Sequence, residues 1–324
     1  MSTEDLIVVT GSLGFIGSCF ISHLNRMGYH NIICVDNFDE NIGYKNLENK
    51  SIVKKFNIFE FIDNLDNLDI RYVFHFGANS NTTEMNYEIH KKFNLEYTKK
   101  IWNHCVDNSI PIIYASSAAT YGSGELGYDD NHEIISSLNP LNPYGISKNN
   151  FDIWAINQDK FPPFWTGLKF FNVYGPNEYH KGKMSSVIYH SYNQIRNNGE
   201  IKLFKSHNPL YKNGEQLRDF VYVKDVINIC YWMMNNKPNS GIYNVGSGKA
   251  RTFNDVAISI FNILNSPVKV NYIDTPKEIR DKYQYFTEAN MSKLYNVGYP
   301  NNLFSLEEGV NDYINNFLNY NNYL

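Results

Sequence analysis

The chain has 324 residues, of which 43% are hydrophobic and 19% are charged, so it can form one large domain or two unequal domains around an extensive core. Its formal net charge of -4 excludes a general electrostatic attraction to nucleic acids or anionic membranes, and we expect neither as a partner. An anionic ligand would therefore have to be held by local donors in a pocket.

The amino terminus and the cysteines together favour a cytoplasmic location. Residues 1–5 are mostly acidic or polar and lead into a strand-like stretch, without the basic and apolar regions of a signal peptide. No apolar run approaches the ~18 residues of a membrane span. The four cysteines lack metal-ligand spacing and are typical of buried thiols in a reducing compartment, so we expect no metal site: Cys19, Cys34, Cys105 and Cys230.

Strand-like apolar runs alternate with helical patterns through the first half of the chain. Helical spacing of apolar residues is found at 15–27 and 94–106. The clearest strands are 6–10, 32–35, 72–76 and 111–115. This alternation predicts an α/β fold built on a Rossmann doubly wound parallel sheet.

The second half of the chain is less regular. A strand is predicted at 167–171, and Gly, Asn and Pro then cluster at 174–183 and 206–216. We therefore expect a Rossmann dinucleotide-binding domain at 1–172, with a returning segment at about 218–246. A smaller, interrupted C-terminal substrate-binding lobe would consist of 173–217 and 247–324, closed by a helix formed by the tail.

A glycine-rich turn follows the first strand and opens the first helix. The sequence GSLGFIG at 11–17 places Gly11, Gly14 and Gly17 where the backbone must pass close to a pyrophosphate. The helix start adds unpaired N–H groups and the positive end of a dipole. Such a turn can be merely structural, but its position between strand and helix indicates dinucleotide binding.

Asp36 ends the second strand about twenty residues further on, where a carboxylate accepts hydrogen bonds from the adenosine ribose. Its charge disfavours the 2′-phosphate of NADP unless nearby cations compensate. Lys45, Lys54 and Lys55 are candidates for that role, although Asp39 and Glu40 oppose them. The residues therefore leave the choice between NAD and NADP open.

A Tyr-Lys pair supplies the candidate catalytic group. The four-residue spacing of Tyr144 and Lys148 places both side chains on one face of a helix. There the Lys148 ammonium should lower the pKa of the Tyr144 phenol, which could then exchange a proton with a sugar hydroxyl during hydride transfer. Ser117, at the end of the strand before it, could hydrogen-bond the substrate oxygen. The same spacing also occurs by chance, in which case Tyr144 would be a packed aromatic residue and Lys148 a surface lysine.

These motifs resemble those of the extended short-chain dehydrogenase/reductase family of NAD(P)-dependent epimerases and dehydratases. The matching segments are GSLGFIG at 11–17, YASSAATYG at 114–122, YGISK at 144–148 and NVYGP at 172–176. The resemblance implies nucleotide-sugar chemistry, a catalytic set of Ser117, Tyr144 and Lys148, and a homo-oligomer. It also implies a cofactor site that includes Phe15, Ile16, Asn37, Ala78 and Lys148 besides the glycines and Asp36.

Narrower matches resemble the heptose 6-epimerase branch, which acts on an ADP-activated heptose for the lipopolysaccharide inner core. They are HFGANSNTTE at 75–84, FNVYGPNEYHKGKMSSV at 171–187, RDFVYVKDV at 218–226 and KYQYFTEANMSKL at 282–294. This resemblance implies that Lys181 is a second acid/base group, which suits a reaction that removes and restores a proton in opposite stereochemical senses. Lys181 could instead be a solvated loop lysine.

The same branch implies a set of substrate contacts. Arg218 is the leading candidate for the diphosphate, because a guanidinium can bridge phosphate oxygens. Its alternative role is an ion pair with Asp219 or Asp225. The remaining candidate contacts are Thr83, Glu84, Ser117, Asn172, Ser185 and Tyr283. Members of the branch tend to use NADP, yet Gly43 falls where a phosphate-binding lysine is expected, so NAD is possible.

Three other functions compete with this interpretation. A 4,6-dehydratase would carry an Asp-Glu pair where Ala118 and Ala119 follow Ser117, which argues against it. Another nucleotide-sugar 4-epimerase or a dehydrogenase would use the same Ser, Tyr and Lys, so Lys181 is the discriminating residue. A dinucleotide-binding redox regulator would keep the fold without turnover. Segment 206–216, just before Arg218, is longer than the resemblance to the family leads us to expect, and it is close to the expected nucleotide pocket. The identity of the nucleotide base in the substrate is therefore left open.

Overall fold

Twelve strands and twelve α-helices occupy the described part of the chain. The computed structural model describes residues 1–40, 42–280 and 283–324. The side chains of Glu278 and Ile279 are outside this description, as is Lys282, which begins the matched segment 282–294. The strands are β1 (Leu6–Thr10), β2 (Ile32–Asp36), β3 (Lys54–Asn57), β4 (Ile70–His75), β5 (Ile112–Ser117), β6 (Trp165–Phe170), β7 (Asn172–Tyr174), β8 (Ile201–Phe204), β9 (Leu217–Tyr222), β10 (Gly241–Val245), β11 (Ala250–Thr252) and β12 (Val270–Ile273).

The helices lie between these strands. In chain order they are α1 (Phe15–Arg26), α2 (Ile58–Asn64), α3 (Tyr87–His90), α4 (Tyr97–Asp107), α5 (His132–Ile135), α6 (Pro143–Ile156), α7 (Val187–Asn198), α8 (Val223–Asn236), α9 (Phe253–Ile263), α10 (Lys277–Arg280), α11 (Ser292–Asn296) and α12 (Leu306–Asn316). A π-helix, Lys91–Glu96, joins α3 to α4. No helix in the ranges described above is both long and apolar enough to cross a membrane.

The predicted doubly wound parallel sheet is confirmed. Seven strands pair in the order β10-β6-β5-β4-β1-β2-β3, and every neighbouring pair is parallel. From β1 the chain adds β2 and β3 on one side, and it then returns to add β4 on the other side of β1. The direction of winding therefore reverses between the neighbouring strands β1 and β4. Parallel α/β sheets bind ligands at the carboxyl ends of the strands beside such a switch point. The sheet thus predicts where the site lies.

Helices cover both faces of this sheet, and a separate apolar core fills each face. One core includes Phe20 and Leu24 of α1 with Met233 of α8. The other includes Trp102 of α4 and Phe151 of α6. Burial on both faces explains why the central strands are continuously apolar instead of alternating with polar residues.

Two small sheets lie in the second half of the chain. Strand β9 pairs with β7 in parallel and with β11 in antiparallel, and β8 pairs with β12. Of the segment predicted to return at about 218–246, strand β10 joins the large sheet beside β6, whereas β9 belongs to a small sheet. Helix α8 packs against α1 on the large sheet. The predicted domain boundaries remain a prediction.

Candidate active site

A cavity of about 750 Å³ lies at the carboxyl ends of the central strands. It brings together residues that are far apart in the sequence, from the first turn of the chain to α9. The residues predicted for the site that line it are Gly11, Gly14, Phe15, Ile16, Gly17, Asp36, Asn37, Ala78, Ser117, Tyr144, Lys148, Asn172, Lys181 and Ser185. The predicted cofactor and catalytic residues therefore share one space.

The glycine-rich turn has the geometry that a pyrophosphate requires. Gly11 has a left-handed φ of +69°, and a Cβ atom built there would come within 2.7 Å of the Gly77 backbone nitrogen. Helix α1 begins at Phe15, without a side-chain cap on Gly14 and without an acidic residue in its first turn. Its first N–H groups are therefore free of competing side-chain acceptors and suit an anionic ligand. The described residues fit a dinucleotide cofactor.

Asp36 lies at the adenosine end of the cavity. Its carboxylate accepts hydrogen bonds from the backbone nitrogens of Leu13 and Asn37, both at 2.8 Å. Burial raises the pKa of Asp36, and these backbone hydrogen bonds oppose the rise. The carboxylate thus connects the end of β2 to the glycine-rich turn, and Glu40 adds a second acidic side chain to this wall.

The three lysines considered for an NADP phosphate do not line the cavity. Lys54 lies with its Nζ atom 4.2 Å from the centre of the Phe56 ring. Lys55 Nζ lies 5.6 Å from the centre of the Phe38 ring. Lys45 is likewise outside the cavity lining. None of these three lysines therefore contributes a cation to the cavity wall at its adenosine end.

The Tyr-Lys pair lies at the start of α6. The Asn142 side chain caps this helix by accepting a hydrogen bond from the Gly145 nitrogen at 2.8 Å, and Pro143 occupies the first turn. Tyr144 and Lys148 then stand one helical turn apart and both line the cavity. Local sequence signals for the helix start therefore place the candidate catalytic side chains.

The pKa values differ from the prediction made for this pair. Burial raises the pKa of Tyr144, and the contact with the Ser117 hydroxyl opposes that rise. Burial lowers the pKa of Lys148 to about 8, which Asp152 opposes. The predicted net lowering of the Tyr144 pKa is wrong, because desolvation dominates and the Lys148 ammonium donates to the Ala115 carbonyl at 2.9 Å.

Lys181 occupies a 3₁₀ helix, Tyr179–Met184, on the cavity wall. Its Nζ atom lies 5.6 Å from the centre of the Phe15 ring. Burial lowers the pKa of Lys181, and the nearby Glu178 carboxylate opposes this. Glu178 is itself fully buried and accepts a hydrogen bond from Ser186 Oγ at 2.7 Å. A partly desolvated lysine of this kind is suited to proton exchange, unlike a solvated loop lysine.

The turn that carries Lys181 is anchored by the last residues of the sequence. Asn177, which is fully buried with a φ of +74°, accepts from the Leu324 nitrogen at 2.8 Å and donates to the Leu324 oxygen at 3.2 Å. Lys50 Nζ also donates to the Leu324 oxygen, at 2.6 Å. The Tyr179 hydroxyl donates to the Asn322 carbonyl at 2.8 Å. Segment 322–324 therefore supports this wall of the cavity.

Two predicted substrate contacts lie outside the cavity lining. Thr83 donates through Oγ1 to Asn81 Oδ1 at 2.7 Å, and Glu84 accepts from the Asn86 nitrogen at 2.7 Å. These side chains stabilise their own loop, because short polar side chains bond readily to neighbouring groups. Their neighbour Thr82 does line the cavity.

Arg218 and Tyr283 also lie outside the cavity lining and contact each other. The guanidinium of Arg218 is buried 5.3 Å from the centre of the Tyr283 ring, and it donates to the carbonyls of Leu217, at 2.8 Å, and Gln284. The alternative ion pair is not formed in the described residues. The Asp219 carboxylate accepts from Ser247, Gly248 and Ala289, and that of Asp225 accepts from Phe304.

Asn94 is a buried residue behind the cavity wall whose contacts the sequence did not predict. It lies in the π-helix Lys91–Glu96, where a regular helix was predicted. Its Nδ2 atom donates to Ser147 Oγ at 3.0 Å, and its Oδ1 atom accepts from the Asn79 nitrogen at 2.7 Å. Asn94 thus connects the cavity wall at Asn79 with α6. A π-helical turn often marks a functional site, but apolar spacing gives no signal for it.

Known proteins resemble this chain along nearly its full length. The model of the "NAD dependent epimerase/dehydratase family" matches residues 7–246. The chain is 47% identical to the ADP-L-glycero-D-manno-heptose-6-epimerase of Fusobacterium nucleatum, covering 97% of this chain and 98% of that protein. It is 43% identical to the enzyme of that name from Nitratidesulfovibrio vulgaris, with the same coverage.

A solved structure agrees with these sequence relatives. The crystal structure of Helicobacter pylori ADP-L-glycero-D-manno-heptose-6-epimerase is similar to this fold with a TM-score of 0.81 and 29% sequence identity, covering 96% of each chain. The family match extends from β1 to the end of the large sheet and includes the glycine-rich turn, Ser117, Tyr144 and Lys148. The chain therefore belongs to the NAD dependent epimerase/dehydratase family.

Proposed function

We propose that this protein is an ADP-L-glycero-D-manno-heptose 6-epimerase, which inverts C6 of an ADP-activated manno-heptose for the lipopolysaccharide inner core. The observation that carries the proposal is that Lys181 lines the same cavity as Tyr144 and the glycine-rich turn. The relatives at 47% and 43% identity support the same substrate. Two proton-handling groups in one cavity suit an epimerisation better than a one-way oxidation.

Tyr144, Ser117 and Lys181 each have one role in the proposed reaction. The glycine-rich turn and Asp36 would hold a dinucleotide, whose nicotinamide would supply the acceptor and donor of the C6 hydride. Tyr144, in its phenolate form beside the Lys148 ammonium, would take the proton of the C6 hydroxyl as hydride leaves, and the Ser117 hydroxyl would stabilise the developing carbonyl oxygen. The ketone is planar at C6, so rotation of this part of the heptose presents its other face. Lys181, as the ammonium, would then supply a proton to the oxygen in the second half of the reaction. Exchange with solvent would remove the proton from Tyr144 and restore one to Lys181 before the next turnover.

We propose NAD as the preferred dinucleotide, although the resemblance to the heptose branch favoured NADP. Asp36 and Glu40 make the adenosine wall acidic, and Lys45, Lys54 and Lys55 lie outside it. A 2′-phosphate at this wall would be repelled by both carboxylates. The family itself is NAD dependent by name.

The Asp36→Asn variant tests this preference. The wild-type protein should bind NADH more tightly than NADPH, and Asp36→Asn should reduce that ratio by about tenfold, because it removes one charge facing the 2′ position. Fluorescence titration with each reduced dinucleotide gives both dissociation constants. Asp39→Asn is the matched control, since Asp39 does not line the cavity. Tighter binding of NADPH by the wild type would overturn the proposal.

Incubation with ADP-D-glycero-D-manno-heptose tests the function itself. NMR should show inversion at C6, with little conversion of the GDP analogue. Conversion of the GDP analogue alone would show that the substrate carries GDP instead of ADP. Inertness toward both, with inversion at C4 of another nucleotide sugar, would establish a 4-epimerase instead. Cofactor binding without turnover of any nucleotide sugar would support a redox regulator.

We further propose a homo-oligomer in the cytoplasm, with the substrate bound between the Rossmann part and the C-terminal lobe. The resemblance to the family supports the oligomer. Four buried, unpaired cysteines support a reducing compartment. The lobe assignment is supported by the cavity, whose wall combines Gly11 and Tyr144 with Lys181 and Phe253.

A further inference from the structure

A buried ion pair lies behind the candidate catalytic group. Asp152 of α6 and Lys169 of β6 have no exposed surface, and Asp152 Oδ2 lies 2.7 Å from Lys169 Nζ. Neither residue lines the cavity, and the proposed reaction uses neither. Burying two charges gains little stability over apolar side chains of similar size. The pair therefore requires an explanation other than stability.

The pair holds the strand end that carries Ser117. Asp152 Oδ2 accepts a hydrogen bond from Ser116 Oγ at 2.6 Å, immediately before Ser117. Lys169 Nζ donates to Thr120 Oγ1 at 2.6 Å, three residues after Ser117. Thr120 in turn donates to the Ser117 carbonyl at 2.8 Å. The two charges thus fix the chain on both sides of Ser117.

The same carboxylate lies beside the buried Lys148. Asp152 follows Lys148 by one helical turn, as Lys148 follows Tyr144, so the three side chains share one face of α6. Lys148 is only 5% exposed, and its ammonium makes no salt bridge with a described carboxylate. Its hydrogen bond to the Ala115 carbonyl is to a neutral group. Burial disfavours the charged form of Lys148, and the Asp152 charge opposes this.

We propose that Asp152 is a positioning residue, which holds the Ser117 strand end against α6 and keeps the Lys148 ammonium protonated beside Tyr144. Lys169 pairs with the Asp152 carboxylate from the opposite side, on β6. The effect of Asp152 on turnover rests on the proposed epimerase function. Its effect on the charge of Lys148 does not.

The other titratable groups around this network are neutral near neutral pH. Burial lowers the pKa of His75, which faces Lys148 from β4, to about 3. Burial also lowers that of His132, on α5, to about 4. Tyr114 and Tyr121 face Asp152, and burial raises their pKa values well above the usual range. These four side chains therefore add no charge to the surroundings of Asp152 and Lys148 at neutral pH.

The test is a direct titration of Lys148 in protein labelled with ¹³C at the lysine ε-carbon. The signal of Lys148 is identified as the one lost in Lys148→Met. In Asp152→Asn the midpoint should fall by about one pH unit, because an opposite nearby charge is removed. Asp152→Asn with Lys169→Met should show a smaller fall in the same direction, because a positive charge is removed as well. This double variant leaves no buried, unpaired lysine, which protects the test against misfolding of the single variant.

Two controls accompany these variants. Lys169→Arg keeps the ion pair and should keep the wild-type midpoint. Asp159→Asn removes an exposed carboxylate near the end of α6 and should also keep it. An unchanged midpoint in both Asp152 variants, or an equal fall in Asp159→Asn, would overturn the proposal. Because no substrate is needed, this result stands even if the protein does not act on a heptose.

The pH dependence of turnover gives the second readout. If Lys148 must be protonated, activity is lost as the pH rises through its pKa of about 8. Removing Asp152 lowers this pKa, so the alkaline limb of kcat should move to lower pH while KM changes little. A loss of kcat that is uniform across the pH range would indicate a structural role alone and contradict the proposal. Absence of heptose turnover in the wild type would instead contradict the proposed function.

Discussion

The Tyr144→Phe variant is expected to lose about 10²- to 10⁴-fold in kcat, which is the usual contribution of a positioned acid/base group. The change removes only the hydroxyl, so the ring can still fill its place at the start of α6. Cofactor binding should persist, because the glycine-rich turn and Asp36 are untouched. C6 inversion followed by NMR gives the rate, and release of bound dinucleotide after denaturation gives the cofactor content.

Tyr29→Phe is the matched control for this loss. The Tyr29 ring is buried beside α1, and its hydroxyl lies away from the cavity lining. It should therefore keep wild-type turnover while losing the same hydroxyl group. Turnover of Tyr144→Phe within a few-fold of the wild type would remove the acid/base role of Tyr144 and leave it as a packed aromatic.

The Lys181→Met variant is expected to lose about 10²- to 10⁴-fold in epimerisation, for the same reason as Tyr144. Methionine keeps an unbranched chain against the Phe15 ring but has no proton to exchange. The loss should appear in kcat with a smaller change in KM, because a proton transfer is made only in the transition state. This result would separate the two-base reaction from chemistry that needs Tyr144 alone.

Lys183→Met controls for the lost charge. Lys183 belongs to the same 3₁₀ helix, is exposed and does not line the cavity, so its replacement should leave turnover near that of the wild type. Dinucleotide content and the thermal melting of both variants confirm that the turn is intact. Near wild-type epimerisation in Lys181→Met would contradict the second acid/base role and reopen the 4-epimerase alternative.

The sequence predicted the large sheet well because its elements are local patterns. The turn at Gly11, the strand ends at Asp36 and Ser117, and the helix start at Tyr144 each follow from a few neighbouring residues. A parallel sheet then brings the carboxyl ends of the strands to one edge, so these residues meet in one cavity. The sequence therefore sufficed to predict that these residues meet at one edge of the sheet.

Partnerships across distant elements could not be predicted in this way. The bond between Asp152 and Lys169 joins a helix to a strand, and nothing local distinguishes Asp152 from a surface carboxylate. Lys169 gave one signal, a charge within an otherwise apolar strand, which indicates a buried partner. The raised pKa of Tyr144 was missed because it depends on burial, whereas the spacing of Lys148 showed only that a charge was near.

The substrate contacts were predicted less completely, because the orientation of each side chain depends on partners that the local sequence does not specify. Thr83 and Glu84 are polar residues in a matching motif, but their side chains bond within their own loop. Arg218 was expected to bind phosphate or an acidic neighbour, and its guanidinium instead donates to two backbone carbonyls beside Tyr283. Motif residues indicate a function of the whole loop more reliably than the orientation of each side chain.

The anchoring of Asn177 by Leu324 has a consequence for synthesis on the ribosome. The two partners are 147 positions apart, so the turn carrying Lys181 emerges long before the residues that hold it. The large sheet and the cofactor turn can form while the rest of the chain is still being translated. The turn carrying Lys181 therefore lacks these hydrogen bonds until residues 322–324 have been translated, and a nascent chain without them would have to hold this wall of the cavity by other contacts.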